Sequence, residues 1–204
     1  MMLAPVILEG RHVRLEPLSR EHHAALCEAG QDPATFRWFP TTVAGEQGMR
    51  AYIDSGLTDH AAGRALPFVI RRVEGGRIVG ATRFAAFEPA HQRAEIGWTW
   101  LEASARRTPV NTECKRLLLA HGFERLGLNR IEFKTDSRNA ASRAALARIG
   151  ATEEGVFRNH MRMPDGSIRH SVWFSIIREE WPQVRSHLDA LLAQTPTSAA
   201  PAQV

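Results

Sequence analysis

Hydrophobic and polar positions alternate along this chain with two periods, and the changes from one to the other mark its elements. HVRLEPL (12–18) sets Val13 and Leu15 against His12, Arg14 and Glu16, a period-two strand. REHHAALCEAG (20–30) reads as a helix that Ser19 can cap and Gly30 can stop. After a loop with three aromatics and two prolines (31–42), Met49, Ile53 and Leu57 recur at helical spacing and predict a second helix over 44–57. Residues 65–88 read as a hairpin turned at Gly75–Gly76, and a short connection leads to EIGWTWL (95–101), a strand rich in β-formers.

The stretch from Glu95 to Gly150 organises the rest. The strand opens into the polar turn ASARRTPVN (103–111), and the amphipathic TECKRLLLAHGFERLG (112–127) then puts Leu119, Phe123 and Leu126 on one helical face. NRIEFKT (129–135) alternates Ile131, Phe133 and Thr135 with Arg130, Glu132 and Lys134. Two strands joined by a single helix are expected to lie parallel with a right-handed crossover. The helix start then falls at the C-terminal edge of the first strand, where α/β sheets hold ligands. Arg106 and Arg107 precede it, so an anion is expected there. Either Thr108 caps this helix with Pro109 at its first position, or the turn continues and Asn111 caps. In both readings amides from Val110 onward lack intrahelical partners.

Further on, Asn139 is a good N-cap with Ser142 three residues later, and Gly150 ends that helix. Strands over about 152–163 and 168–177 are joined by Pro164–Asp165–Gly166, and a last helix covers 178–192, with Pro182 near its start. Residues 195–204 have the composition of a disordered tail, leaving 1–194 as one domain. The expected fold is α/β: a largely antiparallel mixed sheet with a central parallel βαβ unit and flanking helices.

Composition narrows the function classes. The 204 residues are 44% hydrophobic with a formal charge of +4, enough chain for a real core. Apart from Lys115 and Lys134 every basic side chain of the Lys/Arg kind is arginine, and no five like charges run together, so no nucleic-acid partner is expected. Cys27 and Cys114 lack paired or metal-ligand spacing, which suits a reducing cytoplasm. The N-terminal segment lacks the basic region and apolar core of a signal peptide, and no apolar run reaches a membrane span, so no membrane partner is expected. Adjacent His22 and His23 cannot share a metal from one helix face, and no metal is expected. Cys114, in a helix first turn beside Arg107, is a candidate nucleophile, with a packed small residue as the commoner reading. Motifs for dinucleotide or nucleoside triphosphate binding, zinc proteolysis and α/β-hydrolase chemistry are absent.

Together the order β-α-α-β-β-β-α-β-α-β-β and the segments LEGRHVRLEPL, RIVGATRF, RAEIGWTWL, TECKRLLLAHGFERLGLNRIEFKTDSRNAASRAALARIGATEEGVFR and REEWP resemble the GCN5-related N-acetyltransferases. The likeness runs over roughly 7–183 and is to their ribosomal-protein N-acetyltransferase-like branch. It implies transfer of an acetyl group from acetyl-CoA to a primary amine. In that family the turn before the long helix carries (Gln/Arg)-x-x-Gly-x-(Gly/Ala), whose amides hold the coenzyme A pyrophosphate. Aligned on Glu113, this chain has Arg106-Arg107-Thr108-Pro109-Val110-Asn111, with Pro109 in place of the Gly and Asn111 in place of the small residue. The resemblance assigns coenzyme A to Trp100, Arg106, Arg107, Thr108, Val110, Asn111, Thr112 and Asn139.

Asn139-Ala140-Ala141-Ser142 matches the family's Asn-x-x-Ser, whereas the Tyr that many relatives carry four residues after the Ser is Leu146. The acid that the branch places on its sixth strand aligns with Met161, beside His160. Glu95 is the candidate base, with Gly97 and Thr99 expected on its face and a solvated strand-end charge as the rival reading. His160 is the second candidate base, and Ser142 the candidate proton donor to the departing thiolate. The implied partners are acetyl-CoA and an amine acceptor, a protein N-terminus among the candidates, with a homodimer allowed. The rival functions are an acyl-CoA-binding module without useful catalysis and an arginine-rich RNA-associated protein.

Overall fold

The computed structural model describes residues 3–194, so the tail expected over 195–204 lies outside the described residues. One eight-stranded sheet carries the fold: β1 (Leu8–Glu9), β2 (Val13–Pro17), β3 (Leu66–Arg72), β4 (Ile78–Glu88), β5 (Arg93–Leu101), β6 (Arg130–Asp136), β7 (Thr152–Arg162) and β8 (Ile168–Ile177). Their spatial order is β1-β2-β3-β4-β5-β6-β8-β7. Strands β1 to β5 pair antiparallel in chain order, and β5–β6 is the parallel pair of the βαβ unit.

The helices are α1 (His23–Ala29), α2 (Gly45–Ala61), α3 (Pro109–Ala120), α4 (Ala140–Arg148) and α5 (Trp181–Ala193). Several expected boundaries move. A two-residue strand precedes the first expected one, α2 runs four residues further, and β5 begins at Arg93, which makes Glu95 its third residue. The long helix is α-helical only to Ala120 and continues as a single π turn over His121–Arg125. There Phe123 stacks on Trp181 of α5 at 5.6 Å.

Both faces of the sheet are covered. Under α3 and α5 lie Val13, Leu15, Phe68, Phe84, Ile131 and Phe174, and under α1 and α2 lie Val69, Ile78, Ala81 and Trp100. That explains why β3 reads as an unbroken apolar run rather than an alternating one. Glu113, one turn into α3, ties this helix to the N-terminal segment. Its Oε1 accepts from the Arg11 N–H at 2.9 Å, and its Oε2 accepts from His12 and Val13 at 2.6 and 2.8 Å. Gly10 is needed there, since a Cβ would lie 2.4 Å from the Glu113 carboxyl carbon.

Candidate active site

Strands β5 and β6 pair only over Arg93–Glu95 and Arg130–Glu132, and beyond that both continue without pairing to each other. A β-bulge causes the parting. Trp98 has φ 50°, a left-handed conformation costly for a bulky residue, and the β4–β5 register shifts across it. The bulge also inverts the side-chain alternation. Gly97 opposes Arg83 and faces α2, yet Trp100 faces α2 as well, and Thr99 turns to α3, where it accepts from the Lys115 ammonium at 3.0 Å. Glu95, Gly97 and Thr99 therefore do not share one face, as strict period-two alternation had implied.

The parted strands open a cleft of about 820 Å³ that runs from Glu95 and Lys134 to the starts of α3 and α4. The loop over residues 34–40 walls it on one side. Arg106 holds this loop at one end, donating to the Leu101 carbonyl at 3.0 Å and to Thr35 Oγ1 at 2.7 Å.

At the helix start the first of the two readings holds. Thr108 caps α3, its Oγ1 accepting from the Val110 N–H at 3.3 Å, with Pro109 at the first position. Val110 is buried with its amide taken by the cap, and the Thr112 hydroxyl accepts from Arg148 at 2.7 Å. Neither residue is on the cleft wall, whereas Arg106, Arg107, Thr108 and Asn111 are. Arg107 adopts φ 59°, a conformation the family's sequence pattern does not signal at this position. Trp100 reaches the wall from the other side, packed on Phe36 at 5.1 Å. Asn139 caps α4 through its Oδ1, which accepts from the Ser142 N–H at 3.1 Å, and both residues line the cleft.

Glu95 is buried, which removes its rival reading as a solvated strand-end charge. Burial pushes its carboxyl above the ordinary range, while the Lys134 ammonium, 2.7 Å from Oε2, pulls it back. Glu132, opposite it in the register, pushes in the same direction as burial but is itself held by Arg93 and Arg130. His160 lies apart. It is exposed on β7 and is not on the cleft wall, with Nδ1 2.9 Å from Ser171 Oγ. Cys114 is fully buried and its thiol is pushed up to about 11 by desolvation, the opposite of an activated nucleophile.

Three residues of the site escaped the sequence reading. Lys134 stood on the polar side of an alternating strand, and only the fold brings its ammonium to Glu95, from two residues beyond the last β5–β6 pair. Lys115 looked like a surface cation of an amphipathic helix but is buried beside Phe133. Arg169 falls in the 158–170 segment, one of three that the sequence reading expects to meet the acceptor, without being singled out there, yet it lines the cleft.

A mixed sheet whose central parallel strands part over a cation-flanked helix start defines an acyl-CoA N-acyltransferase fold. The chain belongs to the GNAT acetyltransferase family: the model of the acetyltransferase (GNAT) domain matches residues 12–152. A solved structure from T. thermophilus, provisionally titled an acetyltransferase, superposes with a TM-score of 0.84 at 38% identity, covering 94% of this chain and 100% of that one. Mycobacterium smegmatis RimJ, solved in complex with CoA-disulfide, superposes with a TM-score of 0.80 at 26% identity over 92% and 95% of the two chains. YdaF of Bacillus subtilis (strain 168), provisionally named a ribosomal N-acetyltransferase, is 30% identical over 106 residues. That match spans 52% of this chain and 57% of the relative, so the chain covers little more than half of its length. Among the described residues no helix is long and apolar enough to cross a membrane.

Proposed function

We propose that this protein transfers the acetyl group of acetyl-CoA to a primary amine, on a protein N-terminus or a small molecule, in the cytoplasm. The observation that carries this reading is the parting of β5 and β6 over a cleft that ends at the α3 start between Arg106 and Arg107. The residues fit coenzyme A. Facing backbone edges beyond Glu95 and Glu132 are free of each other and suit the amide groups of an extended pantetheine arm. With Pro109 bringing no N–H and Val110 capped, the Arg107 guanidinium, the one remaining nitrogen of Arg106 and the amide of Asn111 are left for the phosphates. RimJ of M. smegmatis, a structural relative, was solved with a coenzyme A derivative, which supports the same cofactor here.

When bound, acetyl-CoA supplies the acetyl group as a thioester. The chain's own residues handle protons. An acceptor ammonium must lose a proton before its nitrogen forms the new C–N bond, and the buried Glu95 carboxyl, raised by desolvation and paired with Lys134, is the candidate to take it. As the C–S bond breaks, the sulfur leaves with the electron pair. Ser142, on the cleft wall, is the candidate to protonate it through its hydroxyl, since Leu146 stands where many relatives carry Tyr. Asn139 serves the α4 cap with its oxygen and has its amide nitrogen left for the cofactor.

The test is thiol release from acetyl-CoA across a panel of amines, after mass spectrometry of the purified protein for retained acyl-CoA. Release that requires both acetyl-CoA and an amine supports the transferase. Tight coenzyme A binding without release by any amine identifies a binding module instead.

A further inference from the structure

At its inner end the cleft holds a cation with no carboxylate of its own. Arg169 of β8 is 5% exposed, and among the described residues no carboxylate lies within 4 Å of it. Its Nε donates to Ser171 Oγ at 2.9 Å and one terminal nitrogen donates to the Trp38 carbonyl at 3.3 Å. The other terminal nitrogen makes no hydrogen bond among the described residues, and the side chain lines the cleft. The neighbouring charges are already matched: Lys134 binds Glu95, and Arg138 binds Asp136, each at 2.7 Å. The side chain is held on its buried side, so its unused donor is presented to the open cleft, where a ligand can take it. Planar guanidinium groups favour carboxylates and other oxyanions.

The whole wall leans the same way. Among the described residues Glu95 is its single carboxylate, against Arg106, Arg107, Lys115, Lys134, Arg148 and Arg169. Coenzyme A phosphates would answer the cations at the α3 start, but Arg169 is tied to Trp38 and Ser171, within electrostatic reach of Glu95, the residue cast as the base. A polycationic acceptor would meet repulsion there from Arg169 and Lys134 with no free carboxylate to receive it.

We propose that the acceptor carries a carboxylate a few bonds from its primary amine and that Arg169 binds this carboxylate, holding the amine toward Glu95. The inference rests on the transferase reading above. Two sources share this chemistry: a free amino acid, and a peptide whose first residues include an acidic side chain.

The experiment compares matched acceptors. Free amino acids are assayed beside their own carboxamides, and peptides with Asp or Glu at the second position beside the Asn or Gln versions, with spermidine and kanamycin as polycations. The site predicts kcat/KM at least tenfold higher for the carboxylate member of a pair in one of the two series, and the series that responds identifies the source. Arg169→Gln should bring that ratio close to one, mainly through KM of the acid, while Arg169→Lys keeps part of it. The wild-type comparison stands even if a variant folds poorly. Equal rates within the pairs of both series, preference for the polycations, or an Arg169→Gln loss that strikes both members equally overturns the anion site and leaves the transferase intact. Release with no amine at all overturns both, and calorimetry with coenzyme A on the same preparation tells inactive protein from a wrong reading.

Discussion

Glu113 fixes where the α3 start sits relative to the sheet edge, and the cost of losing it follows from its contacts. One carboxylate receives three consecutive backbone N–H groups, from Arg11, His12 and Val13, at 2.6–2.9 Å. A hydrogen bond to a charged group contributes about 1.5–3 kcal/mol, and bonds that share one acceptor and adjacent donors are not additive. Glu113→Gln keeps the shape, but an amide has one acceptor oxygen, so its NH₂ must face at least one of the three donors. The expected loss is about 2–3 kcal/mol. Glu113→Ala removes both oxygens and leaves the buried Val13 N–H short of a partner, for a loss of about 3 kcal/mol or more. In a domain of this size each kcal/mol moves Tm by about 2–4 °C, so Glu113→Gln should lower it by about 4–12 °C. Thermal unfolding by circular dichroism measures this, and hydrogen exchange should show the amides of residues 11–13 losing protection first. A Glu113→Gln protein that melts with the wild type would sink the argument, because the donor–donor clash cannot be made free by any rotamer.

The remaining predictions concern the cleft and the two thiols. Replacing Arg106 and Arg107 together by Ala should raise the coenzyme A Kd at least tenfold by calorimetry, in line with about 1.5–3 kcal/mol for a charge-assisted contact; unchanged affinity would put the pyrophosphate elsewhere. Glu95→Gln should lower kcat by about 10²–10⁴ and abolish the acid limb of the pH–rate profile. Lys134→Met should move that limb to higher pH, since it removes the charge that opposes burial. It should also destabilise the fold at neutral pH and recover stability on acidification: a raised folded-state carboxyl costs stability above its unfolded pKa, and the cost fades as pH falls through the folded value. Asn139→Ser keeps the α4 cap but removes the amide nitrogen, so a fall in turnover without a fall in Tm would place that nitrogen on the cofactor. Native protein should react with a thiol reagent at half-buried Cys27 and not at Cys114, and two equivalents should appear only on unfolding.

What could be read ahead of the structure follows from which interactions are local. The strand alternations, the Gly75–Gly76 hairpin and the Thr108 and Asn139 caps depend on residues within a few positions of one another, and the parallel βαβ unit follows from the order of such elements and the handedness of the crossover. The Glu95–Lys134 pair, the three amides on Glu113 and the Arg169 contact with Trp38 join residues 39, about 100 and 131 positions apart. Neither the period of a strand nor a cap signal carries such pairings. The bulge was hidden for another reason. Left-handed residues are usually Gly or Asn, and here Trp98 and Arg107 take that conformation without either signature.

The parting of β5 and β6 is held in large part from behind, by Tyr52 and Arg83, which do not line the gap. Tyr52 of α2, the chain's one tyrosine, donates its hydroxyl to the Trp98 carbonyl at 2.8 Å, giving the bulged peptide a partner that a regular ladder would have supplied. Burial pushes that phenol up to about 12, so it stays a donor throughout the physiological range. Arg83, fully buried on the neighbouring strand, lies 4.7 Å over the Trp98 indole and 5.1 Å over the Tyr52 ring, closing the space behind the bulge. On the opposite face Thr82 and Thr99 share a hydrogen bond of 2.7 Å, and Lys115 reaches Thr99 from α3. A strand clamped on both faces at its bulge cannot rotate back to pair with β6. The strain of a left-handed tryptophan, about 1–3 kcal/mol, is thereby offset by contacts from α2, β4 and α3, which keep the edge of β5 turned away from pairing with β6.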